Sequence, residues 1–538
     1  MEEARRSVSR YRYYGLLLLV IVFFGLVRWH LRNIPLERDE GEYAYAGQLM
    51  LHGVPPYTAL YSMKLPGTFA AYAAIFVLFG QTVAGIHLGL LVVNAATTFL
   101  VFLLGRRLFG ALAGVVAGAS YALLSTSSAV VGFAAHATNF VVLPAVAGIL
   151  LLLRATQARR SWLYFLSGVF VGVAFLMKQP GILFAVFGAV YLGYSEWQAS
   201  PRDWPGLVRK EVAYACGVAL PFAVTCLVML ASGSFGKFWF WTFVYAREYA
   251  TTTGFGEGFE VLRIMLPSVV LPELWIWMLA GVGLTAITWN RQARERRFFL
   301  ISFLLFSILA VCPGLYFRGH YFILMLPAVA LLVGVAVNSV SERIQQKTPA
   351  NARPWLLPAI IFLAAFANAI YVQREYLFRM DPLTASRAIY GSNPFPEAVE
   401  VGDYLKSHAT NGARIAVLGS EPEIYFYSGL RSATGYIYTY GLMEPQPYAL
   451  EMQKEMIAEI EAAQPEYIVF VGVPQSFGRL PGSDEHIFRW IDSYLGARYD
   501  IVGVADILQQ TNYVWGDEAA SYRPQSSSYI RVFKRRAF

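Results

Sequence analysis

Apolar runs alternate with short polar or basic segments over the first 372 positions of the chain. Most runs span roughly 16 to 25 residues, which is the length of a helix that crosses a lipid bilayer. They predict a polytopic α-helical membrane protein with about 11 to 13 transmembrane helices. The predicted spans are residues 14–32, 83–105, 111–127, 129–153, 162–177, 180–195, 211–231, 267–289, 298–314, 320–340 and 355–372. Segment 66–80 is a further candidate, which either crosses the membrane or lies in its interface.

The pattern changes at about residue 373, where charged residues return and the apolar runs shorten. Helical spacing of apolar residues predicts helices at 396–409 and 448–463, and strand patterns occur at 414–418, 467–471, 499–504 and 529–533. Alternating helices and strands indicate a small α/β domain. We therefore predict a transmembrane domain at 1–372, with a first outer loop at 33–82, and a C-terminal α/β domain at 373–538.

Composition supports the membrane class, because 57% of the residues are hydrophobic and only 14% are charged. The net charge of +8 comes from basic clusters between the spans, so membrane orientation explains it and no nucleic-acid partner is indicated. If segment 66–80 lies in the interface, these clusters all fall on one side of the membrane. This asymmetry predicts that the first outer loop, the turns at Lys178 and Arg318, and the C-terminal domain all lie outside the cytoplasm.

Targeting and cysteine signals add little to this assignment. The first apolar run has no small-residue cleavage site after it and is followed by many more runs, so we predict a retained span. Cys216, Cys226 and Cys312 lie in or at the ends of apolar runs, where packing is the expected role.

An acidic cluster, Arg38-Asp39-Glu40-Gly41-Glu42-Tyr43, follows the first span. Carboxylates beside lipid need water, partners or a chemical task. Asp39 and Glu42 have the spacing of a capping box at the start of a helix, so a surface helix with its acids in water is one interpretation. A catalytic role is the other.

Cations stand at several predicted outer turns. Lys64 is the only Lys or Arg between Arg38 and Arg106, Lys178 ends another span, and Arg318 and His320 flank Gly319. Each can be explained as a snorkelling or interface-anchoring side chain. Their shared side, opposite one acidic cluster, also suits an anionic ligand held between them, for which phosphate is the natural candidate.

The order of these short motifs resembles the bacterial glycosyltransferases of the GT-C fold. It is most similar to the group of aminoarabinose transferases, protein O-mannosyltransferases and rhizobial lipopolysaccharide glycosyltransferases. The resemblance covers roughly residues 10–340 and part of the C-terminal domain. The motifs are Asp39-Glu40, Gly53-Val54-Pro55-Pro56-Tyr57, Lys64-Leu65-Pro66-Gly67, Arg106-Arg107-Leu108-Phe109-Gly110, Lys178-Gln179-Pro180-Gly181, Arg318-Gly319-His320-Tyr321, and Val417-Leu418-Gly419-Ser420-Glu421-Pro422 with Ile424-Tyr425.

The resemblance implies a sugar donor linked to a polyprenyl phosphate and a reaction site at the outer membrane boundary. Asp39 would be the general base, although Glu40 or Glu42 could take that role. Lys64 and Arg318 would bind the donor phosphate, helped by Lys178 and His320. Candidate sugar or acceptor contacts are Tyr43, Tyr57 and His136, the last expected about two turns into its span. This chain has Lys-Leu-Pro where the family often has Lys-Pro-Pro, which leaves the pose of Lys64 open.

Physical chemistry agrees with this assignment. A positioned carboxylate contributes roughly 10²- to 10⁴-fold by general base catalysis. The leaving phosphate is already anionic, so cations matter more than a protein acid. A single base without a carboxylate nucleophile predicts inversion at the anomeric carbon. No cofactor is required, and the loop acids are weak evidence for a divalent metal, so no metal site is predicted.

Several alternatives stay open at this point. A secondary transporter or flippase would also place ionisable residues in a membrane domain, and a ligase or polymerase of lipid-linked glycans would use a similar donor. The acceptor could be a lipid, a glycan or a protein. Resemblance to bacterial proteins indicates the inner (cytoplasmic) membrane. Aromatic residues in the loop 232–266, including Trp239, Trp241, Tyr245 and Tyr249, form either an interface belt or a sugar-stacking surface.

Overall fold

The computed structural model describes residues 2–199, 201–349 and 353–536. Helices account for most of this part of the chain. Those of the first half are α1 (Glu2–His30), α2 (Arg38–Leu51), α3 (Pro66–Phe79), α4 (Val83–Phe109), α5 (Ala111–Leu124), α6 (Ala137–Ala158), α7 (Ser161–Met177), α8 (Ile182–Trp197), α9 (Trp204–Ala231), α10 (Phe235–Trp239), α11 (Ala246–Thr251) and α12 (Phe255–Val270). Those that follow are α13 (Leu274–Trp289), α14 (Arg291–Glu295), α15 (Arg297–Val311), α16 (Leu326–Gln345), α17 (Leu356–Val372), α18 (Pro382–Tyr390), α19 (Phe395–His408), α20 (Glu423–Ser428), α21 (Tyr440–Met443), α22 (Ala449–Ala463), α23 (Pro474–Phe477), α24 (His486–Arg498) and α25 (Asp517–Ser521).

The apolar runs form membrane-length helices, as predicted. Within the described residues, six helical stretches are long and apolar enough to span a bilayer, and five shorter apolar helices accompany them. The six stretches are Tyr11–His30, Val83–Phe109, Ala137–Ala158, Trp204–Ala231, Phe255–Trp289 and Gly319–Gln345. The prediction of a polytopic helical membrane protein is confirmed.

The chain divides into two compact units. Unit 1 comprises residues 1–32, 86–227 and 253–380, and unit 2 comprises residues 33–85, 228–252 and 381–538. The first predicted outer loop (33–82) and segment 228–252 therefore group with the C-terminal segment in unit 2. The domain boundary predicted from the sequence at 372/373 stays a prediction.

Unit 1 is a helical bundle whose core is built from α5, α13 and α16, with α6 packed on α7. Small residues allow these helices to approach closely. A side chain at Gly334 would collide with the backbone of Ala113 on α5, and one at Gly283 would collide with Leu332 on α16. Close backbone approach at small residues is a usual way to pack helices in a membrane, where burial from water gives no driving force.

Unit 2 contains a six-stranded mixed sheet with the strand order β2-β1-β3-β6-β4-β5. The strands are β1 (Arg414–Leu418), β2 (Arg431–Ser432), β3 (Tyr467–Gly472), β4 (Tyr499–Asp506), β5 (Asn512–Trp515) and β6 (Tyr529–Arg535). β1 pairs in parallel with β2 and β3, whereas β6 runs antiparallel to β3 and β4. The four predicted strands and both predicted helices are present. The short edge strands β2 and β5 were missed, because two and four residues carry too little pattern.

Candidate active site

Helix α2 carries the acidic cluster of unit 2, and it begins two residues earlier than the sequence suggested. Glu37 is the N-cap: its side chain accepts from the Glu40 amide at 2.9 Å, and the Glu40 side chain accepts from the Glu37 amide at 3.3 Å. The capping box predicted for Asp39 and Glu42 is therefore wrong. Because Glu37 and Glu40 satisfy the free amides of the helix start, Asp39 and Glu42 are available for other contacts.

Those contacts are with Lys64. The Lys64 ammonium donates to Asp39 Oδ1 and to Glu42 Oε2, each at 2.6 Å. Ser62 donates its hydroxyl to the other oxygen of Glu42, and Tyr438 donates to Asp39 Oδ1 at 3.4 Å. We call Asp39, Glu42, Ser62, Lys64 and Tyr438 the acid–lysine cluster. A divalent ion between these acids would have to displace the Lys64 ammonium.

The three predicted acids differ in the fraction of their surface that is exposed. The Asp39 side chain keeps 13% of its surface exposed, against 4% for Glu42, and Glu40 is 1% exposed. Burial raises the pKa of Glu42 above its ordinary value, although Lys64 opposes the shift. Burial also disfavours the charged Lys64, but Asp39 and Glu42 outweigh this and raise the pKa of Lys64. Asp39 is the most accessible carboxylate of the three.

Tyr43 and Tyr57 lie behind Lys64. The Lys64 ammonium sits 4.7 Å from the centre of the Tyr43 ring, and the Tyr57 hydroxyl donates to the Lys64 carbonyl at 2.7 Å. Both tyrosines are buried, at 2% and 0% exposure. The predicted sugar contact of Tyr43 and Tyr57 stays a prediction, and their burial argues against it. Their contacts with Lys64 indicate that they support the position of the lysine.

Helix α2 is docked on the α/β part of unit 2. Arg38 donates to the Ser420 carbonyl and to Glu421, at 2.8 and 2.9 Å. Gly41 faces α20 so closely that an added Cβ would lie 2.7 Å from the Cα of Glu423. The Gly-Ser-Glu-Pro motif noted in the C-terminal sequence thus holds the helix that carries Asp39. Sequence reasoning did not single out Arg38 for this role.

Unit 1 presents a second group of predicted site residues at the turn before α16. Arg318 caps a 3-10 helix, Gly319–Met325, and its guanidinium lies 5.6 Å from the centre of the Tyr316 ring. The preceding turn is strained, because Leu315 and Phe317 have positive φ values of 56° and 42°. Such conformations cost on the order of 1–3 kcal/mol each and concentrate at functional sites.

Lys178 and His136 join this turn. The Lys178 ammonium lies 3.9 Å from the centre of the Tyr321 ring, and the imidazoles of His136 and His320 stack with centroids 3.8 Å apart. We call Lys178, Arg318, His320 and His136 the imidazole–cation cluster. His136 is the N-cap residue of α6, so its predicted position two turns inside a span is wrong: the segment before α6 forms a loop.

Buried polar contacts in unit 1 support that loop and were not predicted. Arg28 of α1 donates to the carbonyls of Gly132 and Ser125, at 2.6 and 2.8 Å. Gln373 links Glu273 to the Ser128 amide. A buried arginine within an apolar span is a signal that the sequence analysis could have used, because such residues are costly without a structural or functional role.

Comparison with known proteins identifies the kind of enzyme. The family profile for dolichyl-phosphate-mannose-protein mannosyltransferase matches residues 64–230. The undecaprenyl phosphate-alpha-4-amino-4-deoxy-L-arabinose arabinosyl transferase of Pseudomonas aeruginosa (strain UCBPP-PA14) is 27% identical over 392 residues, which cover 70% of this chain and 68% of the relative. The crystal structure of ArnT from Cupriavidus metallidurans bound to undecaprenyl phosphate superposes with a TM-score of 0.62 and 16% identity, over 96% of this chain and 97% of ArnT.

The chain is a membrane glycosyltransferase of the GT-C fold. A more distant neighbour agrees: the archaeal oligosaccharyltransferase AglB from Archaeoglobus fulgidus aligns with a TM-score of 0.52 and 11% identity, over 95% of this chain and 75% of AglB. The resemblance predicted from the motifs, to the aminoarabinose transferase-like group, is confirmed. The roles of individual residues in this glycosyltransferase stay predictions.

Proposed function

We propose that this glycosyltransferase moves a sugar from a polyprenyl-phosphate donor to an acceptor hydroxyl, at the outer face of a bacterial inner membrane and with the C-terminal domain outside the cytoplasm. The observation that carries the proposal is the acid–lysine cluster, in which one ammonium bridges two carboxylates at 2.6 Å. The printed name of the Pseudomonas relative and the printed title of the ArnT structure assign undecaprenyl phosphate to those proteins.

Asp39 is the proposed general base. It takes the proton of the acceptor hydroxyl as that oxygen attacks the anomeric carbon, and the bond from that carbon to the phosphate oxygen breaks. The polyprenyl phosphate leaves with the electron pair. Asp39 suits this role better than Glu40, which is bound in the helix cap, or Glu42, which is more buried. A single-displacement step inverts the anomeric configuration.

Lys64 is the proposed phosphate ligand. Its ion pair with Asp39 is also proposed to keep that carboxylate from accepting a proton until the donor binds. While Lys64 is paired with Asp39, its ammonium is bonded to a carboxylate oxygen that could accept the proton. When a donor phosphate draws the ammonium away, that oxygen can take the proton of the acceptor hydroxyl. Arg318 is proposed as a second phosphate ligand, with Lys178 and His320 as helpers, because a phosphate suits several charge-assisted hydrogen bonds.

A transfer assay tests this function. Purified protein in detergent is incubated with envelope extract and either a radiolabelled undecaprenyl-phosphate sugar or the same sugar as a nucleotide donor. We expect labelled product from the lipid-linked donor alone. NMR of that product should show an anomeric configuration opposite to that of the donor. Transfer from the nucleotide sugar would contradict the donor class. Label uptake into proteoliposomes without any product would instead support a transporter.

A further inference from the structure

Unit 2 contains a cleft that the reaction described above does not use. Its volume is about 250 Å³. It is formed by Tyr61 of the first outer loop, by Lys237 and Phe240 of the segment after α9, and by Tyr448 and Glu455 at α22. We call it the aromatic–acidic cleft.

The polar groups of the cleft are held in fixed positions. The Tyr61 hydroxyl donates to Glu459 Oε1 at 2.7 Å and accepts from the Lys237 ammonium. The Tyr436 hydroxyl donates to Glu455 Oε2 at 2.6 Å. A rigid set of hydroxyl and carboxylate groups can recognise a ligand with little ordering cost on binding.

Aromatic rings form the rest of the wall. Tyr61 stacks on Trp241 with ring centroids 5.6 Å apart and planes 14° apart, and Phe240 meets Tyr448 edge to face at 5.2 Å. Phe240 and Tyr448 are half-buried, so part of each ring borders the open space. Trp241 belongs to a π-helix, Phe240–Tyr245, an irregular form that is frequent at functional sites.

This arrangement resolves one question left by the sequence. An interface belt would expose its aromatic rings to lipid headgroups, yet Trp241 and Tyr245 are only 7% and 4% exposed. The Tyr245 hydroxyl donates to Glu444 at 2.7 Å. Trp239 is 45% exposed and suits the belt. The loop aromatics therefore divide into the exposed Trp239 and the buried Trp241 and Tyr245, of which Trp241 lines the cleft.

The charged residues that line the cleft indicate the class of ligand that it can bind. Lys237 is the one cation of the lining, whereas Glu451 and Glu455 are both exposed acids at its edge. Two carboxylates beside a single ammonium disfavour an anionic group such as a phosphate. Aromatic rings with hydroxyl and carboxylate acceptors suit a ligand that offers C–H faces together with O–H or N–H donors.

We infer that the aromatic–acidic cleft binds a sugar unit of the acceptor, one that carries hydroxyl or amino groups and no anionic group. The acceptor assignment rests on the proposed transferase function. The cleft and the proposed reaction site are close along the chain, because Tyr61 and Lys64 lie in one short loop. That loop is fixed at both points: the Tyr61 amide donates to the Gly435 carbonyl at 2.8 Å, and the Lys64 amide donates to the Ser62 hydroxyl at 3.1 Å.

Saturation-transfer NMR on the full-length protein in detergent tests the sugar site directly. The probes are methyl glucoside, glucosamine and glucose 6-phosphate. We expect saturation of the first two and much less of the phosphate. Tyr448→Ala and Glu455→Gln should each weaken binding by about tenfold, since each removes one wall or one charged acceptor. Asp492→Asn makes the same charge change at an exposed acid of α24 outside the lining and should have no effect.

The kinetic counterpart separates this site from the transfer chemistry. In the transfer assay, Tyr448→Ala and Glu455→Gln should raise the acceptor KM by about tenfold and leave kcat and the donor KM unchanged. Sugar saturation that is equal in wild type and both variants, or a preference for glucose 6-phosphate, would overturn the inference. If the wild-type protein transfers no sugar at all, the proposed function fails, while the NMR result still decides whether the cleft binds sugars.

Discussion

The acid–lysine cluster of unit 2 and the imidazole–cation cluster of unit 1 hold their cations in different ways. Lys64 is bridged between two carboxylates, which fixes its position and balances most of its charge locally. Lys178 and Arg318 lie over the rings of Tyr321 and Tyr316. An aromatic face attracts a cation through its quadrupole. The two clusters therefore differ in the contacts that position their cations, which include carboxylates around Lys64 and ring faces beside Lys178 and Arg318.

Backbone strain is shared by both clusters. Among the described residues, six non-glycine positions have positive φ, and four of them lie in the loops that carry candidate site residues: Tyr57, Val131, Leu315 and Phe317. The other two, Arg159 and Gln464, end helices α6 and α22, where such a conformation is common. Strain is thus concentrated where side chains must be aimed, in keeping with a site whose geometry is imposed by its surroundings.

The largest expected effect tests the base of the acid–lysine cluster. Asp39→Asn should lower kcat by about 10²- to 10⁴-fold, because the amide cannot accept the proton. Radiolabelled transfer from the lipid-linked donor measures it. Glu40→Gln is the matched control, since glutamine also serves in a capping box and should leave turnover nearly intact. Normal turnover in Asp39→Asn, or an equal loss in both variants, would remove Asp39 from the base role.

The next largest effect is expected from removing the Lys64 ammonium, which bridges Asp39 and Glu42. Lys64→Met should raise the donor KM by at least about tenfold, because it removes a phosphate ligand, and should lower stability by roughly 3–5 kcal/mol, because two acids lose their partner. Thermal unfolding in detergent and the transfer assay give the two readouts. Lys64→Arg should recover most of the stability and part of the affinity. An unchanged donor KM in Lys64→Met would argue against phosphate binding.

Arg318 of the imidazole–cation cluster tests the proposed phosphate role in unit 1. Arg318→Gln should raise the donor KM by about tenfold, because it removes a proposed charge-assisted hydrogen bond to the donor phosphate. The assay is the same, with competition by undecaprenyl phosphate as a direct measure of binding. Arg374→Gln, an exposed arginine over Tyr371 in the same unit, is the control and should behave as wild type. An unchanged donor KM in Arg318→Gln would argue against phosphate binding by this arginine.

Helix docking offers a smaller test on the side of unit 2. Gly41→Ala should cost about 1–3 kcal/mol and shift α2, because its Cβ would meet the backbone of Glu423. Activity should fall together with stability, since Asp39 moves with the helix. Gly496→Ala in α24 has open space around it and should be neutral or slightly stabilising. Full activity in Gly41→Ala would show that the docking does not position Asp39.

The smallest effect concerns pH. Glu423 is fully buried, neither of its carboxylate oxygens has a hydrogen-bond partner in another described residue, and burial, together with Glu421, raises its pKa well above the ordinary value. A carboxyl with a raised folded-state pKa stabilises the fold below its unfolded pKa of about 4, and this contribution is lost as the pH rises toward the folded value.

Glu423→Gln should therefore stabilise the protein by about 1 kcal/mol at neutral pH and by less near pH 4. Thermal unfolding in detergent across that range measures the difference. Glu37 contributes a slope of the same sign, because burial also raises its pKa, so some pH dependence should remain in the variant. Glu518→Gln, at an exposed position, should show no such trend. A constant difference between Glu423→Gln and wild type at every pH would contradict the assignment.

Sequence reasoning reached the site residues unevenly. It selected Asp39, Lys64, Arg318 and His320 from residue type and position. It failed on the helix cap, because Glu37, Asp39, Glu40 and Glu42 all have residue types that suit a helix start and only the backbone decides among them. It missed Arg38, whose partner Glu421 is 383 residues away along the chain.

The sequence by itself determined the membrane class, the long helices, four of the six strands and the resemblance to GT-C glycosyltransferases. These features depend on hydrophobic runs and periodicities that are local and repeated over many residues, so single ambiguities average out. The tertiary structure decided which acids pair with Lys64, how Arg38 and Gly41 hold α2 in place, and which loop aromatics are buried at the cleft and which are exposed. Those outcomes depend on single contacts between distant segments, and no local pattern encodes them.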